Sequence, residues 1–573
     1  MQVIGDGWHD LVTDGAAAGT RYRFVLADGT CVPDPASRHQ PEGVHGASEV
    51  IDPSSYAWTD AEWRGRPWEE AVIYELHVGT FTPEGTFRAI IERLDHLVEL
   101  GVTAIQLMPV ADFAGTRNWG YDGVLLYAPA AAYGRPDDLR ALVDAAHARG
   151  LMIFLDVVYN HFGPDGNYIG TYAPDFFTKR HKTPWGDAIN YDGEQSRPVR
   201  DFMIENALYW LEEFHFDGLR LDAVHTIVDE SPEHLLEELA RRVRETVGQR
   251  RHVHLILENE ENEAHRLERT VDGRPRTYTA QWNDDVHHVL HVAATGEDAG
   301  YYADYKGDTD QLARALAEGF AFQGELMPYR GEARGEPSSH LPPSAFVAFI
   351  QNHDQVGNRA FGDRIDRTAA PEAVRALAAV YLLSPQVPML FMGEEWAAPQ
   401  PFPFFCDFHD ELGQAVREGR RGEFARFPEF QDEEARARIP DPIAEETFRS
   451  AKLNWETLSH EPHAARLQFY RRLLETRRRE IVPRLGRTLR RAGTWERLGQ
   501  GAVRLTWPLD GEGRLMLVAA LSTQRLAGVD LSDGRVIWTE GTIERERGEL
   551  GPWSVLWAID DGPPEGSSRR LAG

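Results

Sequence analysis

Phe216–His225 reads FDGLRLDAVH, an apolar run that carries an arginine and an aspartate where burial alone would exclude charge. In a strand, side chains alternate between faces. Leu219 and Leu221 then point to one side, and Gly218, Arg220 and Asp222 to the other. One face suits packing. The other holds two charges that are costly to bury unless they pair. Arg220 lies two residues from Asp222 on the same face, and a guanidinium at that position keeps a carboxylate ionised near neutral pH.

Working outward from this stretch, similar runs ending in polar clusters extend from residue 71 to about residue 395: AVIYELHVG, TAIQLMPV, LMIFLDVVYNH, VHLILENE, YTAQWNDD, FVAFIQNHDQ and VPMLFMGEE. Helical patterns such as TFRAIIERLDHLVEL, DDLRALVDAAHARG and EHLLEELARRVRETV separate most of them. Alternating β and α units predict a parallel sheet. Eight of them predict an α/β fold closed into a (β/α)8 TIM barrel, with the polar clusters at the C-terminal, catalytic face. Residues 1–65 read as a small, short N-terminal β module and 66–483 as the barrel with inserted loops. Short alternating runs (AVRLTWPL, RLMLVAAL, RVIWTEG, WSVLWAI) predict a C-terminal β-sandwich over 484–573. Gly331–Ser344 reads as an exposed loop, and the basic run from Tyr470 as a solvated amphipathic helix.

Composition narrows the function. The 573 residues carry 91 acidic and 61 basic side chains, a formal charge of −30, which repels nucleic acid and anionic lipid and favours a neutral or cationic partner. No run approaches the roughly 18 apolar residues that span a bilayer. The N-terminus lacks a basic segment followed by an apolar one, and Cys31 and Cys406 lie far apart without metal-type spacing. These features predict a cytoplasmic protein with reduced thiols.

The chemistry lies in the carboxylates that end three runs, Asp222, Glu258 and Asp354, with Asp156, Asn160 and His161 ending a fourth. Singly, each is explained as a cap or turn residue. Together on a barrel rim they supply what splitting a glycosidic bond requires, one carboxylate to attack the anomeric carbon and one acid to protonate the leaving oxygen.

VVYNH, GLRLDAVH, the glutamate after LIL, and IQNHD resemble, in order and strand placement, the four motifs of the α-amylase superfamily of retaining α-glycoside hydrolases and transferases. The resemblance implies Asp222 as nucleophile on the fourth strand, Glu258 as acid/base on the fifth, and Asp354 as a carboxylate gripping sugar hydroxyls on the seventh. It further implies Arg220 as partner of the nucleophile, His161 and His353 as contacts at the cleavage subsite, and Asp156 as structural support. Glu258 is preferred over Glu260, Glu261 and Glu263 because it directly follows the apolar strand. Nearby carboxylates favour its protonated form.

NWGYDGV, YNHFGPDGNY, QWNDDVHH, NHDQVGNR and GEEWAAPQPFPFFCDF resemble, more narrowly, the maltooligosyltrehalose trehalohydrolase family from about Tyr22 onward, although that family has a fuller N-terminal sandwich. This implies cleavage of the α-1,4 bond between a maltooligosaccharide and terminal trehalose, no cofactor, and a functional pairing with a maltooligosyltrehalose synthase. Tyr121 is the foremost stacking candidate, with Trp185, Phe402 and Phe405 after it, and His225 is placed against the leaving-side sugar. His287 and His291, at i and i+4 beside Asp284 and Asp285, have zinc-like spacing. They lack a third ligand and are read as a substrate-facing loop, so no metal is assigned. The competing enzymes are a glucan branching enzyme, which passes the glucan to a sugar hydroxyl, and a plain α-amylase. A non-enzymatic alternative is a glucan-binding barrel.

Overall fold

The computed structural model describes residues 1–5, 8–425, 430–486, 491–509 and 512–562. The eight quoted runs are the eight strands of one closed barrel, numbered here β1 (Ile73–Leu76), β2 (Ala104–Leu107), β3 (Met152–Val157), β4 (Gly218–Leu221), β5 (His254–Leu257), β6 (Ala280–Trp282), β7 (Phe346–Ala348) and β8 (Val387–Phe391). Each pairs in parallel with its neighbours, and β8 closes on β1. The alternation read from the opening stretch holds. Leu219 and Leu221 join the large cluster between barrel and helices, whereas Phe154, Ile256, Trp282 and Met389 belong to a separate cluster inside. Burying each such leucine contributes roughly 1.5–3 kcal/mol. Gly218 faces inward because nothing larger fits: a Cβ there would lie 2.9 Å from the Phe154 ring and 2.3 Å from the His254 carbonyl oxygen.

Below the barrel, a buried charge network fixes the strand starts. The Asp217 carboxylate accepts from Trp63 Nε1 at 2.8 Å, from Arg251 Nη1 and Ile153 N at 3.0 Å, and meets His147 Nε2 at 3.0 Å. Asp60 binds the other nitrogen of His147 at 2.9 Å and also His215 at 2.8 Å. Asp217→Ala is expected to cost about 3–5 kcal/mol, because it strands buried cationic partners. The measurement is a lower midpoint of urea unfolding, and an unchanged midpoint would contradict the assignment.

Smaller β modules flank the barrel as expected, and two peripheral readings are corrected. Residues 1–65 contain three separate two-stranded ladders. After the barrel, Thr494–Gly499, Ala502–Pro508, Arg514–Ala520, Ser554–Asp560 and Arg535–Glu540 form, in that order, a five-stranded antiparallel sheet, with a two-stranded ladder beside it. The basic run is not simply a solvated helix. Arg477 is wholly buried at its turn and donates to the carbonyls of Leu382 and Gln386 at 3.1 and 2.9 Å, satisfying the end of another helix. Residues 487–490 of that run, and 563–573 of the predicted sandwich, lie outside the described residues. Gly331–Ser344 is not wholly exposed: Glu332–Arg334 pairs with Glu325–Met327, and Arg334 and Ser338 are buried. Among the described residues, no helix is long and apolar enough to cross a membrane.

Candidate active site

Strand register builds the site. Asp156 on β3 lies opposite Arg220 on β4, both directed inward. The ladders continue one residue beyond the strands: Asp222 N donates to Val157 O, and Glu258 N to Leu221 O, each at 3.0 Å. Asp222 and Glu258 therefore emerge on adjacent positions of the C-terminal rim. Arg220, fully buried, places Nη1 2.8 Å from both Asp156 oxygens and from Asp222 Oδ1, and Nη2 2.8 Å from Glu258 Oε2. Its guanidinium lies over the Trp282 ring at 4.2 Å, a contact worth about 2 kcal/mol when desolvated. The charge that looked misplaced in the sequence holds three carboxyl groups together.

Those groups differ in charge state. At Asp222, burial favours the neutral acid, but the Arg220 charge and a 3.0 Å hydrogen bond from Asn160 Nδ2 outweigh it, leaving the carboxylate below its usual range. At Glu258, burial dominates. Arg220 opposes it, the charges of Asp222, Asp354 and Asp284 reinforce it, and the proton is held well above the usual range. These reinforcing acids come from other strands, not from Glu260, Glu261 and Glu263 beside it in sequence. Glu260 is exposed, Glu261 pairs with Arg330, and Glu263 pairs with Arg266 at 2.5 Å. Ala223 adopts the left-handed region at φ 39° and aims its N–H at Glu258 Oε2, 2.7 Å away. Such backbone costs roughly 1–3 kcal/mol in a non-glycine residue. An ionised and a protonated carboxyl on one rim have the charge states that glycoside cleavage requires.

The other predicted residues gather around this pair. Asp354 follows β7 at the start of a short helix whose Asn352 cap accepts from Asp354 N and Gln355 N, and its side chain remains partly exposed. His353 meets Glu75 Oε1 at 2.6 Å and stacks on Tyr121 at 5.1 Å. Tyr121 donates to Asp156 Oδ2 at 2.8 Å. His161 contacts Asn160 Oδ1 and the Tyr121 carbonyl, and stacks at 4.1 Å on Trp185, which is half exposed at the turn of a hairpin. His225 accepts from Glu260 N at 3.3 Å. Glu75, Asn160 and Trp282 received no role from the sequence. For Glu75 the signal was available: a charge on the inward alternation of AVIYELHVG, as Arg220 is in its own run.

Two expectations need correction. Phe402 and Phe405 are fully buried and offer no face to a sugar; Phe402 instead stacks on Trp119 at 5.3 Å. His287 and His291 are not on a substrate-facing loop, but buried in the helix Asp284–Thr295. His287 is engaged by Ile350 O and Tyr302 Oη at 2.7 and 2.9 Å, and His291 by Glu297 at 2.9 Å. Among the described residues, His181, Asp192 and Glu230 group their potential ligand atoms within 4.8 Å. Arg180 bridges Asp192 and Glu230 at 3.2 and 3.1 Å and already supplies positive charge there.

A closed barrel carrying this carboxyl pair on its rim has the form of an α-amylase-type glycosidase, and residues 50–187 match the family model "Alpha amylase, catalytic domain". Residues 490–557 match a domain of unknown function. The malto-oligosyltrehalose trehalohydrolase of Deinococcus radiodurans is 47% identical over 486 residues, 84% of this chain and 78% of its own. That of Rhizobium sp. is 42% identical over 551 residues, 92% and 90% respectively. The chain belongs to the malto-oligosyltrehalose trehalohydrolase family. A crystal structure titled putative alpha amylase from Salmonella typhimurium superposes with a TM-score of 0.93 at 49% identity, covering 98% of this chain and 93% of that one.

Proposed function

We propose that this protein releases trehalose from maltooligosyl trehalose by hydrolysing the α-1,4 bond that joins it to the glucan, with retention of configuration. The observation that carries the reading is the ionised Asp222 beside the protonated Glu258, both held by Arg220. One guanidinium binding both carboxyls supports the short separation of a retaining pair, about 5–5.5 Å, over the wider spacing of an inverting one. Asp222 attacks the anomeric carbon while Glu258 gives its proton to the departing oxygen. The resulting ester is cleaved by water, whose proton Glu258 takes back. Asp354, His161 and His353 grip the sugar at the cleavage point, Tyr121 and Trp185 offer aromatic surface, and His225 faces the leaving side.

The substrate's terminal α,α-1,1 linkage has to be formed by another enzyme, and we assign that step to a maltooligosyltrehalose synthase. We place the reaction in the cytoplasm, supported by two cysteines that are both free, Cys31 exposed and Cys406 buried. The branching-enzyme reading shares the carboxyl pair but sends the glucan to a sugar hydroxyl. A product assay separates them. Maltotriosyl trehalose is expected to yield free trehalose rapidly, and maltopentaose to be attacked slowly. Equal cleavage of both, or chain transfer without trehalose release, would overturn the proposal.

A further inference from the structure

Going round the rim, Asp222 follows β4, Glu258 follows β5 and Asp354 lies beyond β7; between the last two, Asp284 opens the helix after β6. Its neighbour Asp285 is fully buried and spoken for. It accepts from Arg334 Nη1 and Tyr305 Oη at 2.6 Å, from Ala321 N at 2.7 Å and from Asn262 Nδ2 at 3.1 Å. Arg334 also donates to the Glu260 carbonyl at 2.8 Å, which ties the segment after β5 to that after β6. Asp284 differs. It is partly accessible and has no ion pair among the described residues, and its one hydrogen bond there is a long one, 3.3 Å from Gln355 Nε2 to Oδ1. The buried network thus fixes the backbone beneath a carboxyl that has an oxygen to spare.

Position decides which sugar that oxygen meets. The nucleophile and the acid approach the scissile bond from β4 and β5, and the acid serves the leaving oxygen. Asp284 follows β6, on the far side of the acid's strand from the nucleophile's, and its charge is among those that act on the Glu258 proton. We infer that Asp284 is a specificity-determining residue that hydrogen-bonds the leaving disaccharide and favours a non-reducing, α,α-1,1-linked one over a linear maltosyl group. The inference rests on the trehalohydrolase reading. The bent linkage turns the second ring back, so its hydroxyls occupy directions that a linear glucan does not reach. A polar group satisfied by one substrate and left unpaired by the other discriminates through that difference. Burial, opposed by Arg334 and aided by Asp354, Asp285 and Glu260, pushes the Asp284 carboxyl up to about 7. Near neutrality it can therefore donate to a hydroxyl as well as accept from one.

The test compares kcat/KM for maltotriosyl trehalose and maltopentaose in the full chain and in Asp284→Ala and Asp284→Asn variants. The ratio of the two substrates within one preparation is independent of how much of it is folded. Asp284→Ala is expected to reduce the preference for the trehalose-ended substrate by about 10- to 100-fold, beyond any loss common to both substrates that follows from a weaker field on the Glu258 proton. Asp284→Asn, which keeps a donor and an acceptor, is expected to retain most of the preference. Equal losses on both substrates, or a preference untouched in the Asp284→Ala variant, would overturn the inference while leaving the trehalohydrolase reading intact. A wild-type chain without preference would overturn that reading, and this inference with it.

Discussion

Asp222→Asn is expected to lower kcat on maltotriosyl trehalose by roughly 10⁴-fold or more, with affinity for the glucan retained. The amide has the shape of the carboxylate, and its single oxygen can still accept from Arg220, so the cleft keeps its form. It does not attack an anomeric carbon. Arg220 loses one of three carboxyl partners but keeps Asp156, whose two oxygens lie 2.8 Å from Nη1, and Glu258 at 2.8 Å from Nη2. The variant therefore remains folded, unlike one that removes the arginine and leaves buried acids unpaired. The measurement is kcat from trehalose release together with calorimetric binding of a maltooligosaccharide. Loss within tenfold of wild type would exclude Asp222 as nucleophile. Loss of binding alongside activity would assign it to sugar recognition.

The barrel was legible because burial imposes a strong pattern. Each strand is short, largely apolar and ended by a polar cluster, and eight such runs alternate with helices. The alternation within FDGLRLDAVH separated packing residues from cleft residues correctly, since a one-residue slip would have buried Asp222 among helices. What the sequence did not disclose is which residues from distant strands meet. Glu75 and His353 are 278 positions apart and in contact; nothing local relates them. The aromatics failed for a similar reason. Phe402 and Phe405 were stacking candidates by residue type alone, and only tertiary packing against Trp119 and His77 shows them buried. The proton on Glu258 is held mainly by burial, and the carboxylates that reinforce it, Asp222, Asp354 and Asp284, follow other strands and are not its neighbours in sequence.

Glu258→Gln separates that proton from the nucleophile's work. With maltotriosyl trehalose the variant is expected to lose roughly 10²–10⁴-fold in kcat/KM, because a sugar alkoxide is a poor leaving group without a proton. With an aryl α-glucoside the leaving phenolate needs little help, so formation of the Asp222 ester is spared. The later attack by water still lacks its base, and the ester accumulates as a burst. The pH profile gives the complementary evidence. Glu258 acts in its protonated form, and its proton is held well above the usual carboxylate range. Activity of the wild-type protein is therefore expected to fall on the alkaline side, as pH rises through that raised value. Asp222 acts ionised and titrates below its usual range, so the acid limb lies at low pH. The two limbs belong to the coupled pair, and removing one member moves the other. In Glu258→Gln the alkaline limb disappears. Only the acid limb of Asp222 is left, and it moves because Arg220 faces one fewer ionisable acid. An alkaline limb unchanged in Glu258→Gln but abolished in Glu260→Gln would transfer the acid role to the exposed neighbour. The geometry argues against this: Glu258, not Glu260, has its carboxyl 2.8 Å from the arginine that also holds Asp222.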